Sequence, residues 1–280
     1  MNPAKQLREK LNRIPMVVAP FVYDALQAKI AERVGFEAVY MTGFGTAAAR
    51  GFPDLGLLTM SEMVENVRTI ARSVQIPVIC DADTGYGNPV NVWRTVNEYE
   101  RAGAAALHIE DQVWPKRCGF LAGKQVIPQD EMVPKVRAAC DARHNSDTVI
   151  IARTDALAVN GWVDVVRRAT AYREAGADLI FVDGIRTLDD LRNYAERLKD
   201  LPLLYNGQLL PVAELASHGF KLTIYSGTLL YYYQSARNAL NELKQTGALK
   251  PAAQDSAFRE LIDLLGVDEM DALGKKYTGQ

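Results

Sequence analysis

Cysteine is scarce: the chain has three in 280 residues, Cys80, Cys118 and Cys140. So few, and an odd number, exclude a disulfide framework and fit a reducing compartment. No apolar run approaches the roughly 20 residues that a membrane span needs, and the opening MNPAKQLREKLNRIP has no signal-like apolar core. An excess of one charge is also missing. The 32 Lys and Arg are interspersed with 34 Asp and Glu for a net charge of −2, so nothing marks a nucleic-acid or membrane-surface partner. The expected location is the cytoplasm. The G-x-G-x-x-G spacing of a dinucleotide turn is absent too, since GFGTAAARG (43–51) has its glycines elsewhere.

What is present is a rhythm. Apolar, β-rich runs occur at 16–20, 38–43, 77–83, 106–111, 148–155, 179–184, 202–207 and 222–227. Between them lie segments with apolar residues at helical spacing, such as SEMVENVRTIARSV and VVRRATAYREAG. Gly103, Gly176 and Gly219 each precede a strand, where a helix commonly ends in a left-handed residue. Continuous apolar strands alternating with amphipathic helices predict a parallel sheet covered by helices. Eight such units fit a closed (β/α)₈ TIM barrel, with a doubly wound open sheet as the rival. From about residue 228 the pattern is helical only. Residues 1–280 therefore read as one barrel domain, with 228–280 a C-terminal helical extension. Its apolar cluster Leu229–Tyr233 is suited to packing on the barrel or on another subunit.

In such a barrel the C-terminal strand ends converge on one mouth. The reactive groups there are Asp81 and Asp83; His108, Glu110 and Asp111; Arg153, Thr154 and Asp155; Asp183; and Tyr205 with Asn206. Asp81 and Asp83 are two apart, so on a strand both point to one side. Like charges converging beside Glu110 repel unless a cation intervenes or one is protonated. Hard oxygen donors, few histidines and no cysteine cluster favour Mg²⁺ or Mn²⁺ over Zn²⁺. The other reading makes these acids structural partners of Arg153 or of backbone amides. The loop WPKRCGFLAGK (114–124) carries Cys118 next to Lys116 and Arg117, cations that favour a thiolate and suit acid–base work on a lid; equally, it reads as a surface loop with an incidental cysteine. MTGFG offers amides to an anion. His108 reads as a satisfied core histidine, and His144 and His218 as solvent-facing.

Together, YDALQAKIAERVGFEAVYMTG, GFPDLG, DADTGYGN, HIEDQVWPKRCG, the GK at 123–124 and IARTDA resemble the isocitrate lyase / phosphoenolpyruvate mutase superfamily over about residues 8–250. The branch most similar is that of short methylisocitrate lyase-like and carboxyphosphonoenolpyruvate mutase-like chains. The resemblance implies Asp83 as principal Mg²⁺ ligand, with Asp81 and Glu110 holding the metal's waters. It implies that Thr42, Gly43 and Phe44 receive a substrate carboxylate, that Asp54 lies near the reacting group, and that Arg153 binds a substrate oxygen. Cys118 would exchange a proton with an enolate, and Gly119, Phe120 and Asn206 would complete the substrate site. It also implies a homotetramer with a helix exchanged between subunits.

The expected reaction is Mg²⁺-dependent cleavage of a carbon–carbon bond in a small 2-hydroxy or 2-oxo acid through an enolate, releasing a pyruvate- or oxalate-like product. The alternatives are an oxaloacetate-type decarboxylase or hydrolase, a phosphonate-forming mutase, or a non-catalytic dicarboxylate-binding barrel. Three departures bear on the substrate. Phe120 stands where the lyases have His, Asp183 where strand six usually ends in Glu, and NGQLLP (206–211) lacks the Glu and Thr that bind a second carboxylate. They point away from isocitrate and methylisocitrate, toward a smaller or more apolar partner.

Overall fold

A computed structural model describes residues 2–13, 15–249 and 254–278. Eight parallel strands close a barrel in sequence order. They are β1 Val17–Val22, β2 Val39–Met41, β3 Val78–Asp81, β4 Ala106–Glu110, β5 Val149–Thr154, β6 Leu179–Val182, β7 Leu203–Asn206 and β8 Phe220–Tyr225. This is the predicted (β/α)₈ architecture, and all eight predicted runs become strands. The largest shifts have local causes. β2 stops at Met41 because the Thr42 side chain caps a helix over Gly43–Ala49, accepting from Gly45 N–H. β8 starts two residues early because left-handed Gly219 (φ 87°) turns the chain straight into it.

Alternation along the strands builds two cores. Val17, Phe21, Ile79, Ala106, Val149, Ile151, Leu179, Phe181 and Leu222 belong to one cluster, joined by Ala4 and Leu7 of the first helix. Residues of the other parity, among them Val78, Cys80, Leu107, Ile109, Ile150 and Ala152, pack with the surrounding helices in a second cluster. The same parity decides which strand-end residues reach the mouth. Asp81, His108, Glu110 and Arg153 follow the inner set; Asp111 and Thr154 follow the outer.

By compactness the chain divides into a unit ending at Leu229 and one starting at Leu230. The second unit is helical, built from most of Gly227–Thr246 together with Gln254–Leu265 and Val267–Thr278. Leu230, Tyr231, Tyr233, Leu240, Phe258, Met270 and Leu273 are exposed on it. Among the described residues no helix is long and apolar enough to cross a membrane.

Candidate active site

Register brings the inward residues together: Asp81 lies beside His108, and Glu110 beside Arg153. The Arg153 guanidinium pairs with Glu110 at 3.1 Å, with Asp155 at 2.9 Å and with Asp183 at 3.4 Å. Asp83 does not reach the mouth by strand alternation. β3 has ended at Asp81, and Asp83 sits in a left-handed turn (φ 48°), a strained conformation for a residue with a side chain. Its own amide donates to Asp81 Oδ1 at 3.0 Å, and the Tyr86 hydroxyl donates to its Oδ2 at 3.2 Å.

The loop after β4 closes over this cluster through two lysines. The Lys116 ammonium lies 2.5 Å from Asp54 Oδ1 and 2.8 Å from Asp83 Oδ1. The Lys124 ammonium lies 2.7 Å from Asp155 and 2.9 Å from Asp183. Cys118 N–H donates to the Asp54 carbonyl at 3.0 Å, and the Arg186 guanidinium donates to the Phe120 carbonyl at 3.2 Å. Gly119 packs so closely on Asp183 that a Cβ there would come within 2.2 Å of a carboxylate oxygen.

At Cys118 burial works against the thiolate that the neighbouring cations favour. The thiol is only 8% exposed, and burial pushes its pKa up to about 11, with Asp54 adding to the rise. The Phe120 amide, Lys116 and Arg153 oppose the rise and lose. Lys116 is shared between Asp54 and Asp83, and its pull on the sulfur does not offset burial. The group is an S–H donor, the state of an acid.

His108 departs from the satisfied core residue it was read as. Its Nε2 meets the Tyr40 hydroxyl at 2.7 Å, yet its buried Nδ1 has no partner. Burial lowers its pKa to about 4, so the ring is neutral. The Gly43 amide, expected to receive a substrate carboxylate, donates to Asp81 Oδ2 at 3.1 Å. Thr42 caps its helix, and Phe44 packs against the barrel interior. Phe120 is 61% exposed. Asn206 closes β7 half-buried, its side-chain oxygen unpartnered.

Six acids thus converge (Asp54, Asp81, Asp83, Glu110, Asp155 and Asp183) against three cations, Lys116, Lys124 and Arg153. The pKa shifts express that imbalance. Burial works against ionising Asp81, but His108, Lys116 and Arg153 outweigh it and hold its pKa near 2. Burial raises Asp83 to about 6 in spite of Lys116, and raises Glu110 well above the usual carboxylate range. Neither Glu110 carboxylate oxygen has a hydrogen-bond partner, and Asp83 Oδ1 has its ion pair without an aligned hydrogen bond. Potential ligand atoms of Asp81, His108 and Glu110 lie within 4.8 Å of one another. Buried, under-bonded hard oxygens with surplus negative charge fit a divalent cation. Asp83 is not among those three, and the cation it meets here is Lys116.

The sequence reading placed Lys116 beside the thiol and Lys124 within a motif, and gave neither a role at the acids. Their type and loop position were visible; which carboxylates they reach depends on how the loop folds back.

Comparison with known proteins matches the family model described as phosphoenolpyruvate phosphomutase across residues 7–244. The 2,3-dimethylmalate lyase of Eubacterium barkeri is 41% identical over 99% of this chain and 99% of its own length. The 2-methylisocitrate lyase of Aeropyrum pernix is 42% identical over 96% of this chain and 89% of its own. A solved oxaloacetate acetylhydrolase bound to the inhibitor 3,3-difluorooxalacetate superposes with a TM-score of 0.92 at 37% identity, covering 99% and 97% of the two chains. The barrel, the acid-rich mouth and these matches agree, and the chain belongs to the isocitrate lyase / phosphoenolpyruvate mutase superfamily as an enzyme of its lyase kind.

Proposed function

We propose that this enzyme is a Mg²⁺-dependent lyase that cleaves a carbon–carbon bond of a small 2-hydroxy or 2-oxo carboxylic acid and releases a pyruvate- or oxalate-like product. The observation that carries the reading is a thiol kept protonated, Cys118, on a loop tied by two lysines over a buried acid cluster. Mg²⁺, or Mn²⁺ in its place, would be held by Asp83, Asp81 and Glu110 and supplies Lewis-acid stabilisation of an enolate oxygen when bound. The surplus of acids over cations at the mouth supports that assignment.

The rest belongs to the chain's own groups. Arg153 faces the developing oxygen charge as a fixed cation. Bond cleavage leaves an electron pair on the carbon next to a carbonyl or carboxylate, and Cys118 S–H delivers the proton there. Lys116, between Asp54 and Asp83, is placed to steady the thiolate that results. Gly43, Thr42 and Phe44 line the approach from β2, and Gly119, Phe120 and Asn206 that from the loop and β7. Phe120 replaces the polar His of the lyases, Asp183 is one methylene shorter than their Glu, and NGQLLP (206–211) lacks their Glu and Thr, which supports a smaller or more apolar substrate than isocitrate or methylisocitrate.

A cytoplasmic homotetramer completes the proposal. Residues 228–280 act as an extension of the barrel domain that exchanges a helix with a neighbour, and the exposed apolar residues from Leu230 to Leu273 support it. The test of function is turnover across a panel of branched 2-hydroxy dicarboxylates with and without Mg²⁺, detecting 2-oxo acid and oxalate. No Mg²⁺-dependent product from any of them would refute the reading. The acetylhydrolase likeness favours a second reading, hydrolysis of an oxaloacetate-like acid. Oxalate with acetate, in place of a 2-oxo acid with a second carboxylate, would establish that one. A Cys118→Ser variant that still moves phosphorus would indicate a phosphonate-forming mutase.

A further inference from the structure

A cavity lies between the segment after β3, the loop after β4 and the helix Gln129–Asp141. It has a volume of ≈ 450 Å³ and is lined by Thr84, Gln112, Trp114, Glu131 and Lys135 among others. Lys135 is 6% exposed and Thr84 2% exposed, and among the described residues neither side chain has a hydrogen-bond or ion-pair partner. That sets Lys135 apart from the other buried lysines. Lys116 and Lys124 each contact two carboxylates within 3 Å, in keeping with the high cost of burying an unpaired charge.

The acids whose charge Lys135 feels form no ion pair with it: Glu110 pairs with Arg153, and Asp111 with Arg168, Thr154 and Tyr172. Glu131 is solvent-exposed at the cavity edge. Burial lowers the Lys135 pKa, and Glu110, Asp111 and Glu131 oppose that fall only in part. An ammonium and a hydroxyl with no partner in the chain, carried by two largely buried residues that line one cavity, make a complementary pair of donors for an anion.

We propose that this cavity binds a small oxyanion, a carboxylate or a phosphate, through the Lys135 ammonium and the Thr84 hydroxyl. The site is distinct from the acid cluster but joined to its lid. The Gln112 amide lines the cavity and holds the Arg117 backbone from both sides, at 2.9 and 3.0 Å, one residue before Cys118. Thr84 follows Asp83 in the strained turn. An anion held here therefore acts on the two segments that carry the thiol and the acid.

The test is calorimetric titration of the full chain with inorganic phosphate and, separately, with acetate. One binding event should weaken about tenfold in Thr84→Val and in Lys135→Met, the scale of one lost charge-assisted hydrogen bond. It should tighten in Glu131→Gln and be unmoved in Arg153→Lys, which marks anions bound at the mouth. Whichever of the two anions binds more tightly identifies the ligand as phosphate or carboxylate. Crystals soaked in selenate should show an anomalous peak within hydrogen-bond distance of Lys135 Nζ. Titrations indistinguishable among wild type, Thr84→Val and Glu131→Gln would overturn the proposal, as would a cavity holding only water. So would an anion event removed by Arg153→Lys alone. Thr84→Val and Glu131→Gln decide the matter even where Lys135→Met fails to fold, and no readout depends on turnover.

Discussion

Glu110 and Asp111 are adjacent in the chain and opposite in condition. Asp111 points outward, where it accepts from the Thr154 hydroxyl at 2.7 Å, the Tyr172 hydroxyl at 2.8 Å and the Asp155 amide at 2.9 Å, and pairs with Arg168 at 3.1 Å. Glu110 points inward, with Arg153 as its one cation and no hydrogen bond to either oxygen. Both are fully buried, so exposure does not separate them. Satisfaction does. A buried acid whose lone pairs are all met is holding the barrel to its helices, while one left under-bonded is held ready for something that arrives.

The largest expected effects break the comparison from each side. Cys118→Ser should lower kcat by roughly 10²–10⁴-fold while leaving the melting temperature nearly unchanged, because it removes the proton donor alone. Arg168→Met should do the reverse, costing about 3–5 kcal/mol in urea unfolding because it leaves buried Asp111 without its cation. A Glu110→Gln variant sharpens the contrast further. Its stability should hold or rise, because a like charge leaves the cluster, while Mg²⁺-dependent thermal stabilisation is lost.

The pH dependence of Asp83 comes next. Its folded pKa is raised to about 6 from 3.8, so its protonated form is the one the fold favours. Its contribution to stability is fully present below 3.8 and lost as pH rises through 6. In chelator, wild type should therefore lose stability across that window, and Asp83→Asn should lose less. Mg²⁺ should restore more stability at pH 8 than at pH 5, since its ligand must be ionised. Equal shifts at both pH values would argue that Asp83 is no ligand.

The smallest effect concerns the thiol. With its pKa near 11 against an ordinary 9.0, Cys118 should alkylate more slowly with iodoacetamide at pH 8 than a free cysteine. Faster alkylation would restore the thiolate reading.

Much of the site was legible because strand parity is local. Asp81, Glu110 and Arg153 could be placed at the mouth from periodicity alone, and the KRCG loop from its sequence between β4 and the next helix. Asp83 was placed correctly for the wrong reason: its turn is left-handed, so strand alternation does not orient it. The burial that opposes a Cys118 thiolate was not legible, because sequence shows neighbouring cations but not how deeply the residue is buried or which carboxylates claim those cations. The same blindness hid the roles of Lys116, Lys124 and His108, and the empty partnership of Lys135.

The sequence by itself determined the barrel, since alternating strand and helix periods with left-handed glycines between them admit few other closures. It also determined which residues of each strand face inward. The tertiary structure decided everything that depends on burial and on long-range partners: which acids are satisfied, which lysine meets which carboxylate, and which thiol keeps its proton. Periodicity is written in neighbours along the chain, whereas desolvation and Coulomb energy depend on distances that exist only after the loops fold back over the mouth.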